Sequence, residues 1–242
     1  MEMTKTILEH IDEVRIRLIY CIVSFVLAFI VSWFLIEHIL KILILPANGL
    51  SFIYVDIMEM FGVYMQVCFV TAFILSFPVL LYQIIGFMLP ALRIPEKKWL
   101  WMGLPFALLC FGGGVIFGYY VLVSPAIQFL TSFGVDIAIP QLRIGNYISL
   151  IMGLLLVMGF VFEIPVIAVL LAKLGIMSSR IMFRQWKWAL IISFVLGAII
   201  TPTWDPINQC LVSVPIFGLY LLSIVLIKVV EKFEERREMN CG

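Results

Sequence analysis

Residues 144–172 read IGNYISLIMGLLLVMGFVFEIPVIAVLLA, between Arg143 and Lys173, and the only charged residue among them is Glu163. An uninterrupted apolar run of this length is long enough to cross a hydrocarbon core of about 30 Å as a helix. Glu163 stands ten residues before Lys173, which places it roughly 15 Å from that end at 1.5 Å per residue, about the midplane. A charge at the centre of a spanning helix costs about 2.5–3.5 kcal/mol on insertion scales, so an acid at this depth marks a pathway or a binding surface. The plainer reading is a protonated, neutral acid hydrogen-bonded to a neighbouring helix. Gln66, Gln83, Thr71, Asn146 and Gln185 are candidates for its company.

Outward from this run the whole chain has the same character. It is 64% hydrophobic with a mean hydropathy of +1.16, far beyond what a soluble domain of 242 residues needs to fill a core. The expectation is an all-α polytopic membrane protein, a single domain over 1–242. A first span covers 18–36, a second 60–92, a third from Trp99 to about Val123, and a fourth about 146–172. Two more lie between Trp188 and Ile227, parted by Thr201-Pro202-Thr203-Trp204-Asp205-Pro206. Both of these last spans are expected to be short; residues 188–201 reach only about 21 Å as a helix. Pro78, Pro105, Gly112–Gly114, Gly153, Gly159, Pro165 and Pro215 suggest kinks and close helix contacts.

Charge sets the orientation. Lys5, Arg15, Arg17, Arg93, Lys97, Lys98, Lys173, Arg180, Arg184, Lys187, Lys228, Lys232, Arg236 and Arg237 fall on one side of a six-span topology. Only Lys41 and Arg143 fall on the other, so 14 of the 16 basic residues share a side. The positive-inside rule then puts both termini in the cytoplasm: an N-terminal segment 1–17 without the features of a cleaved signal peptide, and a C-terminal tail 228–242. The outer connections 37–59 and 124–145 carry Pro46, Asn48-Gly49, Pro125, Gly134 and Pro140. They are too apolar for solvated loops and are expected to pack as a structured cap. The five cysteines are dispersed and mostly apolar in setting, and two distant histidines give no metal site. No phosphate-binding loop suggests nucleotide hydrolysis.

Two acids on the cytoplasmic side stand out. In Leu8-Glu9-His10-Ile11-Asp12-Glu13-Val14-Arg15-Ile16-Arg17-Leu18, apolar residues Ile7, Ile11, Val14 and Leu18 share one helical face, and Glu9, Glu13 and Arg17 share another. Such spacing gives weak surface ion pairs; it also presents a carboxylate at the membrane face to a cationic ligand. In Phe87-Met88-Leu89-Pro90-Ala91-Leu92-Arg93-Ile94-Pro95-Glu96-Lys97-Lys98, Glu96 either balances its basic neighbours or joins Glu13 on the same surface. Two carboxylates there suit guanidinium groups, which pair with carboxylates through two hydrogen bonds as lysine does not. Asp205 reads either as the N-cap of the last span or as a functional acid.

Taken together, His10 to Leu18, Phe87 to Leu92 with Glu96, Phe162-Glu163-Ile164-Pro165-Val166, and Thr201-Pro202 followed by Asp205-Pro206 and Gln209 resemble the TatC family over essentially the whole chain. TatC is the multispan receptor of the twin-arginine protein translocase. The chain departs from the family at Thr201-Pro202-Thr203-Trp204-Asp205-Pro206, one residue longer than the usual Thr-Pro-Pro-Asp-Pro, and at Ala91, where glycine is frequent.

The resemblance implies a receptor and not an enzyme, with no cofactor and no nucleic acid, in the inner membrane of a prokaryote. It implies that Glu13 and Glu96 recognise the paired arginines of a signal peptide, with Arg15, Arg17, Phe87 and Pro90 around them. It further implies that Glu163 and Asp205 form intramembrane or partner-docking positions and that Pro46 is the proline of the first outer loop. The implied partners are twin-arginine signal peptides of folded cargo, single-span subunits of the TatA and TatB types, membrane lipid, and further copies of the chain, with export driven by the proton-motive force. The alternative is a proton-coupled small-solute transporter with Glu163 as proton carrier, which requires further polar groups facing Glu163. A purely structural subunit leaves Glu13 and Glu96 unexplained.

Overall fold

The structure is a computed structural model that describes residues 7–47, 51–89, 94–132, 142–200 and 206–241. Its principal helices, in chain order, are α1 (Ile7–Ile44), α2 (Ile57–Met88), α3 (Ile94–Phe117), α4 (Ser124–Ser132), α5 (Ile144–Val161), α6 (Ile164–Lys173), α7 (Ser179–Arg184), α8 (Trp186–Ile200) and α9 (Pro206–Cys241). Two short strands, β1 (Phe52–Ile53) and β2 (Leu142–Arg143), pair in parallel, Phe52 opposite Leu142 and Ile53 opposite Arg143.

The apolar runs become helices with few interruptions. Among the described residues, five segments are long and apolar enough to cross a membrane: Asp12–Ala47, Ile57–Met88, Trp99–Phe129, Ile144–Lys173 and Pro206–Phe233. The remaining apolar helix, α8, has 15 residues, about 22 Å, short of the ~30 Å core. The fifth apolar segment is thus short, as its sequence indicates, but the last is not. Its apolar helix runs 28 residues, because Pro206 fits a first helical turn and the lysines beyond Ile227 do not end the helix. The first helix likewise runs well past residues 18–36 at both ends, since charged side chains end a span without ending a helix. Pro78, Pro105 and Pro215 lie inside continuous helices.

The fourth span does break. Pro165 has no N–H for the Val161 carbonyl, and α5 gives way to α6 through a turn at Phe162–Glu163, where Glu163 N bonds the Phe160 carbonyl at 3.1 Å. At its far end α6 closes with Gly175 at φ +72°. Gly175 N bonds the Ala172 carbonyl and Ile176 N the Leu171 carbonyl, both at 3.0 Å, the paired bonds of a Schellman cap that glycine accommodates without strain.

α5 is the central helix, buried along most of its length and packed against α2, α3 and α8. The α3–α5 crossing is close: a Cβ on Gly114 would run into the Met158 backbone. A Cβ added at Gly112, Gly113 or Gly153 would meet no neighbouring segment within 4 Å, so only part of the glycine pattern reports close packing. α6 packs on α3 and α9, α8 on α9, and α1 mainly on α2.

The described parts of the connections 37–59 and 124–145 pack against the bundle. α1 ends in a 3₁₀ turn, Leu45–Ala47, that contains half-buried Pro46. Tyr119 donates to the Ile42 carbonyl at 2.6 Å and Tyr147 to the Leu43 carbonyl at 2.8 Å. Phe52 on β1 meets the Tyr147 ring edge-on. Asn48-Gly49, Gly134 and Pro140 lie outside the described residues.

Candidate functional site

One end of the bundle gathers the start of α1, the end of α2, the start of α3, the end of α6, α7 and the end of α9. Glu13 and Arg17 lie one turn apart on α1. Arg17 donates to Glu13 Oε1 from Nη2 at 2.7 Å and from Nε at 3.2 Å. The same guanidinium reaches α2, giving Nη2 to the Gly86 carbonyl at 2.9 Å and Nη1 to Gln83 Oε1 at 3.3 Å. The Gly86 carbonyl needs this donor. Four positions on, where a helix would supply an N–H, stands Pro90, which has none. Space at residue 86 is also tight, because a Cβ there would meet the Arg17 guanidinium and force that side chain to shift.

The sequence-level candidates therefore divide. Glu13, Arg17 and the last turn of α2, with half-buried Phe87, are brought together. Arg15 is exposed on α1. Glu96 is the third residue of α3 at this end, its side chain outside the described ones, and Pro90 lies outside the described residues. Lys173 Nζ lies 4.2 Å over the Trp99 ring, which ties the end of α6 to the start of α3.

Glu163 is 5% exposed, and its Oε1 has no hydrogen-bond partner among the described residues. It caps α6 by position but makes no side-chain capping bond. Two of the five polar residues expected as its company are engaged elsewhere: Gln66 accepts from Ser149 Oγ at 2.9 Å, and Gln83 accepts from Arg17. A phenylalanine group lies close in sequence and space, Phe160 packing edge-on against Phe111, which stacks on Phe77 at 3.6 Å. Asp205 lies outside the described residues. Nearby, Gln209 Nε2 donates to the Phe194 carbonyl at 3.0 Å, clasping α8 to α9.

The opposite end holds a polar junction that sequence reasoning did not single out. Glu59 Oε2 accepts from Val55 N at 3.0 Å and from Arg143 Nε at 2.9 Å, and Oε1 accepts from Gly145 N at 3.0 Å. One carboxylate thereby joins the start of α2, the strand pair and the start of α5, while Asp56 caps α2 through Met58 N at 3.2 Å. Arg143 as the sole basic residue of its connection was the available signal; its partner was not visible before β1 met β2.

Comparison with known proteins adds a consistent picture. The family described as Sec-independent protein translocase protein (TatC) matches residues 9–215. The chain is 32% identical over 231 residues to the Sec-independent protein translocase protein TatC of Carboxydothermus hydrogenoformans, covering 95% of each. It is 36% identical to a tatC-like protein, ycf43, of Pyropia yezoensis over 94% of this chain and 89% of that one. The crystal structure of a twin arginine translocase receptor, TatC, superposes with a TM-score of 0.82 at 31% identity, over 91% of this chain and 99% of that chain.

Proposed function

We propose, for a chain that belongs to the TatC family of Sec-independent protein translocase proteins, that it is the receptor of a twin-arginine translocase in a prokaryotic inner membrane. The whole chain acts as one six-span domain with both termini in the cytoplasm, as the segregation of 14 of 16 basic residues supports. It binds N-terminal signal peptides that carry two adjacent arginines. Glu13 and Glu96 receive the guanidinium groups, and Arg15, Arg17, Phe87 and Pro90 shape the surface around them.

The observation that carries this reading is the guanidinium of Arg17 seated on Glu13 and on the end of α2. It demonstrates in this chain that the Glu13 carboxylate pairs with a planar, forked cation at the end of the bundle. A signal-peptide arginine brings the same chemistry to the same neighbourhood. Arg17 then has a second task, fixing the Glu13 rotamer by bonds to α2, so that the carboxylate is held before ligand arrives.

Glu163 is read as a docking point within the bilayer, where its unpartnered oxygen accepts a polar group of a TatA- or TatB-type subunit or of the signal peptide itself. Asp205 and Pro46 belong to the partner-facing loop and the outer cap. Further copies of the chain complete the passage, since a bundle of this size encloses no channel for a folded protein. The solute-transporter reading calls for polar groups facing Glu163, and Gln66 and Gln83 are committed to other partners.

The functional test is complementation. A bacterial strain deleted for its own TatC, supplied with this chain and its partner subunits, is expected to export a folded reporter behind an Arg-Arg signal. Uptake of small solutes by vesicles containing this chain alone, without such export, would replace the receptor reading with the transporter one.

A further inference from the structure

α7 is a single helical turn and a half held rigidly against α9. Glu231 accepts from Ser179 N at 2.9 Å and also from Ser179 Oγ, and Tyr220 donates to the buried Met182 carbonyl at 2.7 Å. Pinned at both ends, the two helices leave a groove of about 1160 Å³ between their outward faces. Arg180 and Arg184 line it from α7, and Lys228 and Lys232 line it from α9. No acidic side chain among the described residues lines it, and the nearest described acid on α9, Glu231, is committed to Ser179. All four cations are exposed, and none forms an ion pair among the described residues.

The floor of the groove is apolar. Phe183 and Trp186 border it on one side and Val225 and Val229 on the other, all of them exposed. Its level in the bundle is set by sequence: Trp186 opens the short α8, and Lys228 and Lys232 fall in the last turns of the apolar part of α9. That is where hydrocarbon meets headgroup, the level at which tryptophan concentrates and lysine stems extend along apolar surface toward water.

We propose that this groove is a binding site for an anionic phospholipid. The phosphate sits among Arg180, Arg184, Lys228 and Lys232, and an acyl chain lies along Phe183, Trp186, Val225 and Val229. Charge complementarity selects the occupant. Four cations, with no acid among the described lining residues, favour a headgroup of net negative charge over a zwitterionic one, and the adjoining apolar floor favours a molecule that is anionic at one end and hydrocarbon at the other. Arginine on α7 offers the fork that matches two phosphate oxygens. The site is separate from Glu13 and does not depend on the receptor reading.

Native mass spectrometry of the full chain, released from mixed micelles containing phosphatidylglycerol and phosphatidylcholine of identical acyl chains, tests this. The wild-type chain is expected to retain phosphatidylglycerol selectively. Each cation removed should lower that retention about fivefold, so Arg184→Gln with Lys228→Gln should lower it roughly 25-fold, while Lys41→Gln at the opposite end leaves it unchanged. Glycerol phosphate without acyl chains should not compete. Equal retention of the two lipids, unchanged retention in the double variant, or full competition by glycerol phosphate would overturn the proposal. So would binding of an acidic peptide in place of lipid.

Discussion

Arg17 of α1 donates a hydrogen bond to the Gly86 carbonyl of α2 at 2.9 Å, a carbonyl to which the residue four positions on, Pro90, has no N–H to give. A sequence rule about one helix end thus fixes a contact between two helices, and the same guanidinium sets the position of the acid at the candidate receptor surface.

The first prediction follows from the space at Gly86. In the wild-type chain, Gly86→Ala places a Cβ against the Arg17 guanidinium and should lower the thermal stability of the detergent-solubilised protein. With Arg17→Gln the obstruction is gone, and Gly86→Ala should become stabilising by up to about 1 kcal/mol, the usual helix preference for alanine over glycine. A double-mutant cycle by thermal unfolding measures the coupling. Additive effects would mean that Arg17 and Gly86 do not interact.

A second concerns the junction at the opposite end. Glu59 accepts from three donors, Val55 N, Gly145 N and Arg143 Nε. Glu59→Gln puts a donating amide among donors and should lower the melting temperature more than Arg143→Gln, which removes only one of the three. Limited proteolysis should then cut the connections beside β1 and β2 first. An equal or reversed order of the two melting temperatures would contradict the geometry.

For Glu163 the expected trade is stability against assembly. Its Oε1 has no partner among the described residues, and an unsatisfied buried polar group costs about 1–3 kcal/mol. Glu163→Leu should therefore raise the stability of the isolated chain. It should also weaken co-purification with single-span partner subunits and leave twin-arginine peptide binding largely intact. Loss of stability in the isolated chain would show that Glu163 is satisfied within it.

Much of this was legible before the structure. The apolar runs gave the spans, since few soluble arrangements accept the sequence around Glu163, and the i, i+4 spacing of Glu13 and Arg17 gave their pair. Pro165 was one of several positions expected to kink a span, and it is the one at which the helix breaks, between α5 and α6. The limits were of two kinds. Charges bound the apolar spans without bounding the helices, so α1 and α9 extend further than their apolar cores. Contacts between distant segments were not readable at all. Glu59 gains Arg143 and Gly145 only when β1 lies beside β2, and the basic groove needs α7 held beside α9, by Ser179 on Glu231 and Tyr220 on the Met182 carbonyl.

The central claim is that paired guanidinium groups are read by carboxylates at the basic end of the bundle. It is tested most directly by equilibrium binding of an Arg-Arg signal peptide and its Lys-Lys counterpart to the purified chain in lipid nanodiscs, with Glu13→Gln and Glu96→Gln alongside. The expected result is clear discrimination in favour of Arg-Arg, about tenfold or more as bidentate pairing gives way to point charges, and its collapse in either variant. Equal affinity for the two peptides in the wild-type chain, or discrimination that survives both substitutions, would contradict it.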